Sequence, residues 1–193
     1  MRILVYGLQN SGASTITVAI GRRRECICIP DLYSWYLPPA ALANHHDVIL
    51  KCVINTRHSW HKIVEVFKPD ITVLVYRSPI SNYLSLANKS YANELGSIRE
   101  KFEIANSCLH GQFDYKIRYE DFLADGEDSQ IAIKKMESQK VERSIGEILS
   151  YNFKANSWCL ETYQREWAFG EYKEVPEWIK SINLEQIRMR NGL

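Results

Sequence analysis

The sequence lacks a long hydrophobic run, since no apolar stretch approaches the roughly 18–20 residues of a membrane-spanning helix. The apolar start, residues 1–6, is broken by the polar residues 9–12 before the hydrophobic core of a signal peptide could form. A charge excess is also lacking, because 24 Lys and Arg stand against 23 Asp and Glu for a net charge of +1. This balance argues against a general nucleic-acid binder or a polybasic membrane binder, and it requires any anion site to be local.

The five cysteines lack the spacing of a disulfide framework or a zinc site. Two of them, Cys26 and Cys28, alternate on an expected strand, and the others are isolated: Cys52, Cys108 and Cys159. A structural zinc site needs a second close pair of ligands, which the sequence does not supply. We therefore favour buried, reduced thiols and expect a cytoplasmic protein that holds no metal.

Short apolar runs alternate with helical patterns over the first 120 residues. Strands are expected at residues 2–6, 26–29, 48–54, 71–76 and 115–119, and helices at 14–23, 59–67, 98–109 and 176–190. A charged segment, 126–151, has a sparse apolar face typical of a solvated helix. This order predicts an α/β fold in which about five parallel strands are flanked by helices. The length of 193 residues predicts one domain over residues 1–193.

A glycine-containing segment, Gly-Leu-Gln-Asn-Ser-Gly-Ala-Ser-Thr at residues 7–15, lies between the first expected strand and helix. Backbone N–H groups and the helix dipole form an anion cradle at such a junction. The spacing of Gly7, Gly12 and Ser14 matches a phosphate-binding P-loop, but Ala13 stands where the P-loop lysine belongs. That lysine bridges β- and γ-phosphates, so its absence weakens an ATPase or kinase interpretation. The alternative is a glycine turn in which Ser14 caps the helix.

A second candidate site is an arginine at the carboxyl end of the fourth expected strand. Arg77 is followed eight residues later by Ser85, about two turns into the next helix. Ligands bind at this edge of open α/β sheets, and an arginine there can hold an anion through two hydrogen bonds. Taken alone, Arg77 could equally be a partner in a surface ion pair.

These segments resemble the nucleotide-binding motifs of the sulfotransferases that use 3′-phosphoadenosine 5′-phosphosulfate. Residues 7–15 resemble the 5′-phosphosulfate loop of that family, and residues 77–85 resemble its 3′-phosphate motif, with arginine and serine at the family's spacing. Residues 116–122, which contain Tyr119-Glu-Asp, resemble its fifth-strand segment. Residues 165–173 are similar to a late loop of the cytosolic members. The four segments follow one another in the family's order.

The resemblance implies a P-loop-type protein that transfers a sulfuryl group from this nucleotide to a hydroxyl or amine, without a metal, and releases adenosine 3′,5′-bisphosphate. The partners implied are the nucleotide and an unknown small-molecule or carbohydrate acceptor. The charge balance and the lack of a long apolar run lead us to expect no nucleic-acid partner and no membrane partner. The residues implied to bind the nucleotide come from all four segments: Asn10, Ser11, Gly12, Ala13, Ser14 and Thr15; Arg77 and Ser85, for the 3′-phosphate; Tyr119, near the adenine; Arg165, Gly170 and Lys173.

The sequence also departs from the family's pattern. The loop position of the family's Lys or Arg is Asn10, and the family's aromatic residue after the loop is Thr15. Lys51 resembles the lysine of the third-strand segment and is expected to contact the sulfuryl group, but the family's histidine base is replaced by Val53. We take His58 as the best available base, because it follows this strand at the edge where the loop opens. The alternative is an exposed His58 at the start of the next helix.

Two other functions stay open. A P-loop nucleotide phosphotransferase would bind Mg-ATP, and titration with nucleotides distinguishes it. A nucleotide-binding protein of this fold would keep the site without transfer activity, as Asn10 and Val53 suggest, and assays of sulfate transfer over a panel of acceptors distinguish it. If transfer occurs, the loop amides and Lys51 are expected to stabilise charge on the departing phosphate.

Overall fold

The fold is built on a parallel β-sheet. The computed structural model describes residues 1–24, 26–30, 38, 47–123 and 174–190. The strands are β1 (Arg2–Gly7), β2 (Ile27–Ile29), β3 (Val48–Val53), β4 (Ile71–Tyr76) and β5 (Tyr115–Arg118). Their order is β2-β3-β1-β4-β5, and each neighbouring pair is parallel. The prediction of an α/β fold with about five parallel strands is confirmed.

Helices follow the strands along the chain: α1 (Ala13–Arg24), α2 (Trp60–Phe67), α3 (Pro79–Leu86), α4 (Ile98–His110), α5 (Tyr119–Leu123) and α6 (Glu177–Arg190). Three of them begin after a serine whose hydroxyl accepts an N–H of the first turn: Ser59, Ser78 and Ser97. The expected helices match α1, α2, α4 and α6 to within one residue at each end. Within the described residues, no helix has the length and apolar character needed to cross a membrane. The expected helix at 126–151 lies outside the described residues.

The helices cover both faces of the sheet. On one face, α1 and α5 bury residues such as Ile16 and Phe122 against the strands. On the other face, α2, α3, α4 and α6 bury a second cluster that includes Ile63 and Ile179. The helix after β1 therefore lies opposite the helices after β3 and β4, the two neighbours of β1. Ligands of doubly wound sheets bind at the carboxyl ends of strands around such a reversal.

The described cysteines are free thiols, as expected, but Cys52 alone among them is buried, whereas the other three are half-buried. Cys26, Cys28, Cys52 and Cys108 are thiols rather than disulfides. Burial raises the pKa of Cys52 to about 12 and that of Cys108 to about 11, so both stay protonated near neutral pH. Cys159 lies outside the described residues.

Candidate anion-binding site

The loop between β1 and α1 lies at the carboxyl ends of the central strands. Gly7, the last residue of β1, pairs in register with residues of both β3 and β4. The Ser11 N–H donates to the Leu8 carbonyl at 3.1 Å and closes the turn. Asn10 and Gly12 have φ angles of 61° and 88°. Glycine and asparagine adopt this left-handed region most readily, so the residue types present specify the turn.

The two glycines of the loop allow close packing. A Cβ at Gly7 would lie 2.7 Å from Ser11 Oγ and 2.8 Å from the carbonyl oxygen of Val75. A Cβ at Gly12 would overlap the ring of Tyr119, which is 3% exposed. The loop is therefore packed between a neighbouring strand and a buried aromatic ring.

Tyr119 begins helix α5, whereas the sequence predicted it as the last residue of the fifth strand. That strand ends at Arg118, which pairs with Tyr76 of β4. The chain turns here because Glu120 points back into the protein, where its carboxylate accepts from the Ser78 N–H at 2.9 Å and from Arg118 Nε at 3.2 Å. The ring of Tyr119 then lies against Gly12.

Lys51 reaches the start of α1 from the adjacent strand. Its side chain is on β3 with 7% of the residue exposed, and Nζ donates to Ser14 Oγ at 2.8 Å. The first helical bond of α1 runs from the Ile16 N–H to the Gly12 carbonyl, so the N–H groups of residues 13–15 precede it at the helix end. An ammonium and the positive end of a helix dipole thus lie together, an arrangement that favours a bound anion.

The remaining loop residues differ in whether their N–H groups are available to a ligand. Ala13 is buried, and Thr15 is half-buried in the first turn of α1. The Ser11 N–H is already used within the turn. The backbone N–H groups that are expected to bind an anion are therefore those of the residues that begin α1.

Arg77 and Ser85 meet at Asn10. Arg77 Nη1 donates to the Asn10 carbonyl at 3.0 Å, and Asn10 Nδ2 donates to the Ser85 carbonyl at 2.8 Å and to its Oγ at 3.3 Å. The Tyr91 hydroxyl donates to Asn10 Oδ1 at 3.1 Å. The structure thus brings three sequence-predicted site residues into one network, with Asn10 at its centre.

Arg77 also belongs to a buried charged cluster. It is 8% exposed, and its Nε donates to Ser81 Oγ at 2.8 Å. Arg77 Nε lies 4.0 Å from the fully buried carboxylate of Glu120, which also pairs with Arg118. Arg77 is therefore a buried residue, not the surface residue of the alternative interpretation.

Buried charge around the loop is mostly positive. Among the described residues, the buried charged side chains are four basic residues and one acid: Lys51, Arg77, Lys101, Arg118 and Glu120. Three of these bases contact the loop or the first turn of α1. Burying a charge removes its hydration, so each buried cation near the loop needs polar or anionic groups close to it.

Lys101 is a site residue that sequence reasoning missed. It is fully buried on α4, and Nζ donates to Gln9 Oε1 at 2.6 Å and to the carbonyls of Ala92 at 2.6 Å and Glu94 at 2.9 Å. Burial lowers the pKa of Lys101 to about 8. Lys101 follows Ile98 by three residues, a spacing that places both on the apolar side of the helix. This spacing could have indicated from the sequence that Lys101 is buried. Lys101 fixes the side chain of a loop residue.

Among the described residues, no hydrogen bond joins His58 to Lys51. His58 precedes α2, where Asn55 Oδ1 accepts from the backbone N–H groups of Arg57 at 3.0 Å and His58 at 2.8 Å. Helix α2 covers the face opposite α1, whereas Lys51 bonds to Ser14 of α1. Within the described part of the chain, the half-buried His58 side chain makes no hydrogen bond. Its role as a base stays a prediction.

The remaining expectations concern the late loop and metals. Arg165, Gly170 and Lys173 lie outside the described residues. In the described ranges, no group of three or more His, Cys, Asp and Glu side chains could hold a metal ion. No protein-family model matches the chain, and no curated protein matches it. The functional assignment therefore rests on the geometry of the site.

Proposed function

We propose that the chain is a sulfotransferase-like enzyme with a P-loop-like nucleotide site for 3′-phosphoadenosine 5′-phosphosulfate. The observation that carries this proposal is the approach of two buried cations, one to the loop between β1 and α1 and one to the first turn of α1. Lys51 contacts Ser14, just after the loop, and Arg77 contacts Asn10, within it. A ligand with two separate phosphate groups suits this arrangement. The 5′ group would lie at the start of α1, and the 3′-phosphate would lie at Arg77 and Ser85.

The residues at the start of α1 suit a reaction that develops charge on a phosphate. The nucleotide supplies the sulfuryl group, whose bond to a phosphate oxygen breaks as the bond to the acceptor oxygen or nitrogen forms. Lys51 and the N–H groups of residues 13–15 would stabilise the charge left on that oxygen. These donors are fixed before the ligand arrives, so little reorganisation accompanies the reaction. His58 remains the proposed proton acceptor for the acceptor group.

A second candidate is a nucleotide-binding protein of this fold without transfer activity. It is favoured because no hydrogen bond joins His58 to Lys51 among the described residues, and a hydroxyl acceptor has to lose a proton during transfer. A phosphotransferase that uses Mg-ATP is less well supported, because the small side chain of Ala13 occupies the position of the P-loop lysine.

Titration calorimetry with adenosine 3′,5′-bisphosphate, AMP and Mg-ATP tests the nucleotide site. The bisphosphate is expected to bind more tightly than AMP. Lys51→Gln keeps a hydrogen-bond donor for Ser14 but removes the charge, and it is expected to weaken binding by about 10- to 100-fold. Lys62→Gln is the matched control, because Lys62 is exposed and pairs with Glu65 on α2. Preferential binding of Mg-ATP, or no nucleotide binding, would contradict the proposal.

An assay of sulfate transfer distinguishes the two candidate functions. Labelled nucleotide is incubated with phenols, alcohols, amines and sugars, and sulfated products are identified by mass spectrometry. Transfer that Lys51→Gln reduces supports the enzyme. Tight nucleotide binding with no product over the panel supports the binding protein.

A further inference from the structure

Asn10 is held by hydrogen bonds from three separate segments of the chain. Its carbonyl accepts from Arg77, which follows β4, and its Nδ2 donates to Ser85 in α3. Its Oδ1 accepts from the hydroxyl of Tyr91, which lies between α3 and α4. Both ends of the side-chain amide are therefore engaged.

The groups around Asn10 are suited to a phosphate. Three of its four hydrogen bonds involve an N–H or O–H group that can donate to a phosphate oxygen: Arg77 Nη1, the Ser85 hydroxyl and the Tyr91 hydroxyl. A phosphate accepts hydrogen bonds through several oxygens and carries negative charge, so it pairs more strongly with an arginine than a neutral carbonyl does. The remaining partner, the Ser85 carbonyl, suits an amide but not a phosphate.

We propose that Asn10 is a specificity-determining gate at the 3′-phosphate subsite. Its side-chain amide takes the hydrogen bond of the Tyr91 hydroxyl and fills the place beside the Ser85 hydroxyl, so it has to leave Ser85 before the phosphate binds. The proposal rests on the proposed function, because it places the 3′-phosphate of the nucleotide at Arg77 and Ser85. It adds Tyr91 as a further phosphate donor. It also explains how the uncharged Asn10 can lower the affinity of the site for the nucleotide without abolishing binding.

Asn10→Gly is the variant that tests the gate. Glycine adopts the φ of 61° at this position without strain, so the turn is retained while the amide is removed. Calorimetry measures the dissociation constants of AMP and adenosine 3′,5′-bisphosphate for each protein. The dissociation constant of AMP divided by that of the bisphosphate isolates the contribution of the 3′-phosphate, because a change in loop flexibility affects both nucleotides alike. We expect this ratio to rise roughly tenfold in favour of the bisphosphate, as for one or two neutral hydrogen bonds.

Two further variants complete the test. Asn10→Asp keeps the size and the Oδ1 acceptor but places a negative charge in the subsite, and it is expected to lower the same ratio about tenfold or more. Asn88→Gly, at an exposed position just beyond α3, is the matched control and should leave the ratio unchanged. Thermal unfolding of each protein checks that it is folded.

The outcomes separate the gate from the proposed function. If neither the wild type nor Asn10→Gly binds either nucleotide, the proposed function is overturned, and the gate with it. If both bind nucleotides and Asn10→Gly leaves the ratio unchanged or lowers it, the gate alone is overturned. A raised ratio in Asn10→Gly with a lowered ratio in Asn10→Asp supports the gate.

Discussion

Replacing Gly12 with alanine tests whether the ring of Tyr119 packs directly against the loop between β1 and α1. Gly12 has a φ of 88°, and an added Cβ would overlap the Tyr119 ring, well inside the 3.4 Å at which ordinary contact begins. The ring is 3% exposed and stacks on Phe122 with a centroid distance of 6.4 Å, so it has little room to move. We therefore expect Gly12→Ala to destabilise the fold.

Two contributions set the magnitude. An alanine in left-handed backbone costs about 1–2 kcal/mol relative to glycine. Overpacking a buried site costs typically about 1–3 kcal/mol more. The combined loss of about 2–5 kcal/mol is large beside a typical folding free energy of about 5–15 kcal/mol. For a domain of this size the unfolding temperature should fall by roughly 4–20 °C.

Urea unfolding followed by circular dichroism measures this loss. Gly111→Ala is the matched control: its φ is −75° and the nearest atom to its Cβ is 3.2 Å away, so it should cost under about 1 kcal/mol. Repeating Gly12→Ala in a Tyr119→Leu background removes the ring and should leave only the backbone strain. An equal cost in both backgrounds would refute the packing of Tyr119 on Gly12.

The other buried groups give three further predictions. Because burial lowers the pKa of Lys101 to about 8 from 10.5, the unfolded chain binds more protons between these pH values; the stability of the wild type relative to Lys101→Met should therefore rise from pH 8 to 10.5, and a fall in urea titrations would contradict this. Glu120→Gln should lower the free energy of unfolding by about 3–5 kcal/mol, whereas Glu103→Gln, in an exposed pair, should lower it by less than about 1 kcal/mol. Cys52, with a pKa raised to about 12, should resist iodoacetamide at pH 8 in the folded protein and react in urea, as peptide mass spectrometry would show.

The strands were predictable because each is defined by local signals. β4 is the clearest case: its residues are β-branched or large apolar ones, bounded by Asp70 before it and by Pro79 after it. The strand order could not be predicted in the same way. The central place of β1 depends on pairing with β3 and β4, which lie more than forty residues further along the chain.

In the candidate site, too, the features set by local sequence were predictable and those set by long-range contacts were not. The loop was predictable because the spacing of Gly7 and Gly12 reports a local backbone requirement. The hydrogen bonds of Asn10 with Arg77 and Tyr91 span 67 and 81 residues, and no periodicity indicates them. His58 illustrates a further limit of prediction from the sequence. Its position after β3 was predicted correctly, but the sequence pattern does not specify which face of the sheet the next helix covers.

The two ends of the proposed nucleotide site differ in how far the protein prepares them. At the loop, Lys101 and Asn82 fix the side chain and the carbonyl of Gln9 through bonds of 2.6 Å and 3.0 Å, and the ring of Tyr119 packs on Gly12. A 5′ group would meet donors already in position, so binding would need little ordering of the loop. At the other end, a 3′-phosphate would first displace the Asn10 amide. The hydrogen bonds to the 3′-phosphate replace those of the Asn10 amide. Preference for the bisphosphate over AMP therefore depends on the difference in strength between these two sets of bonds, and a substitution at Asn10 changes that difference.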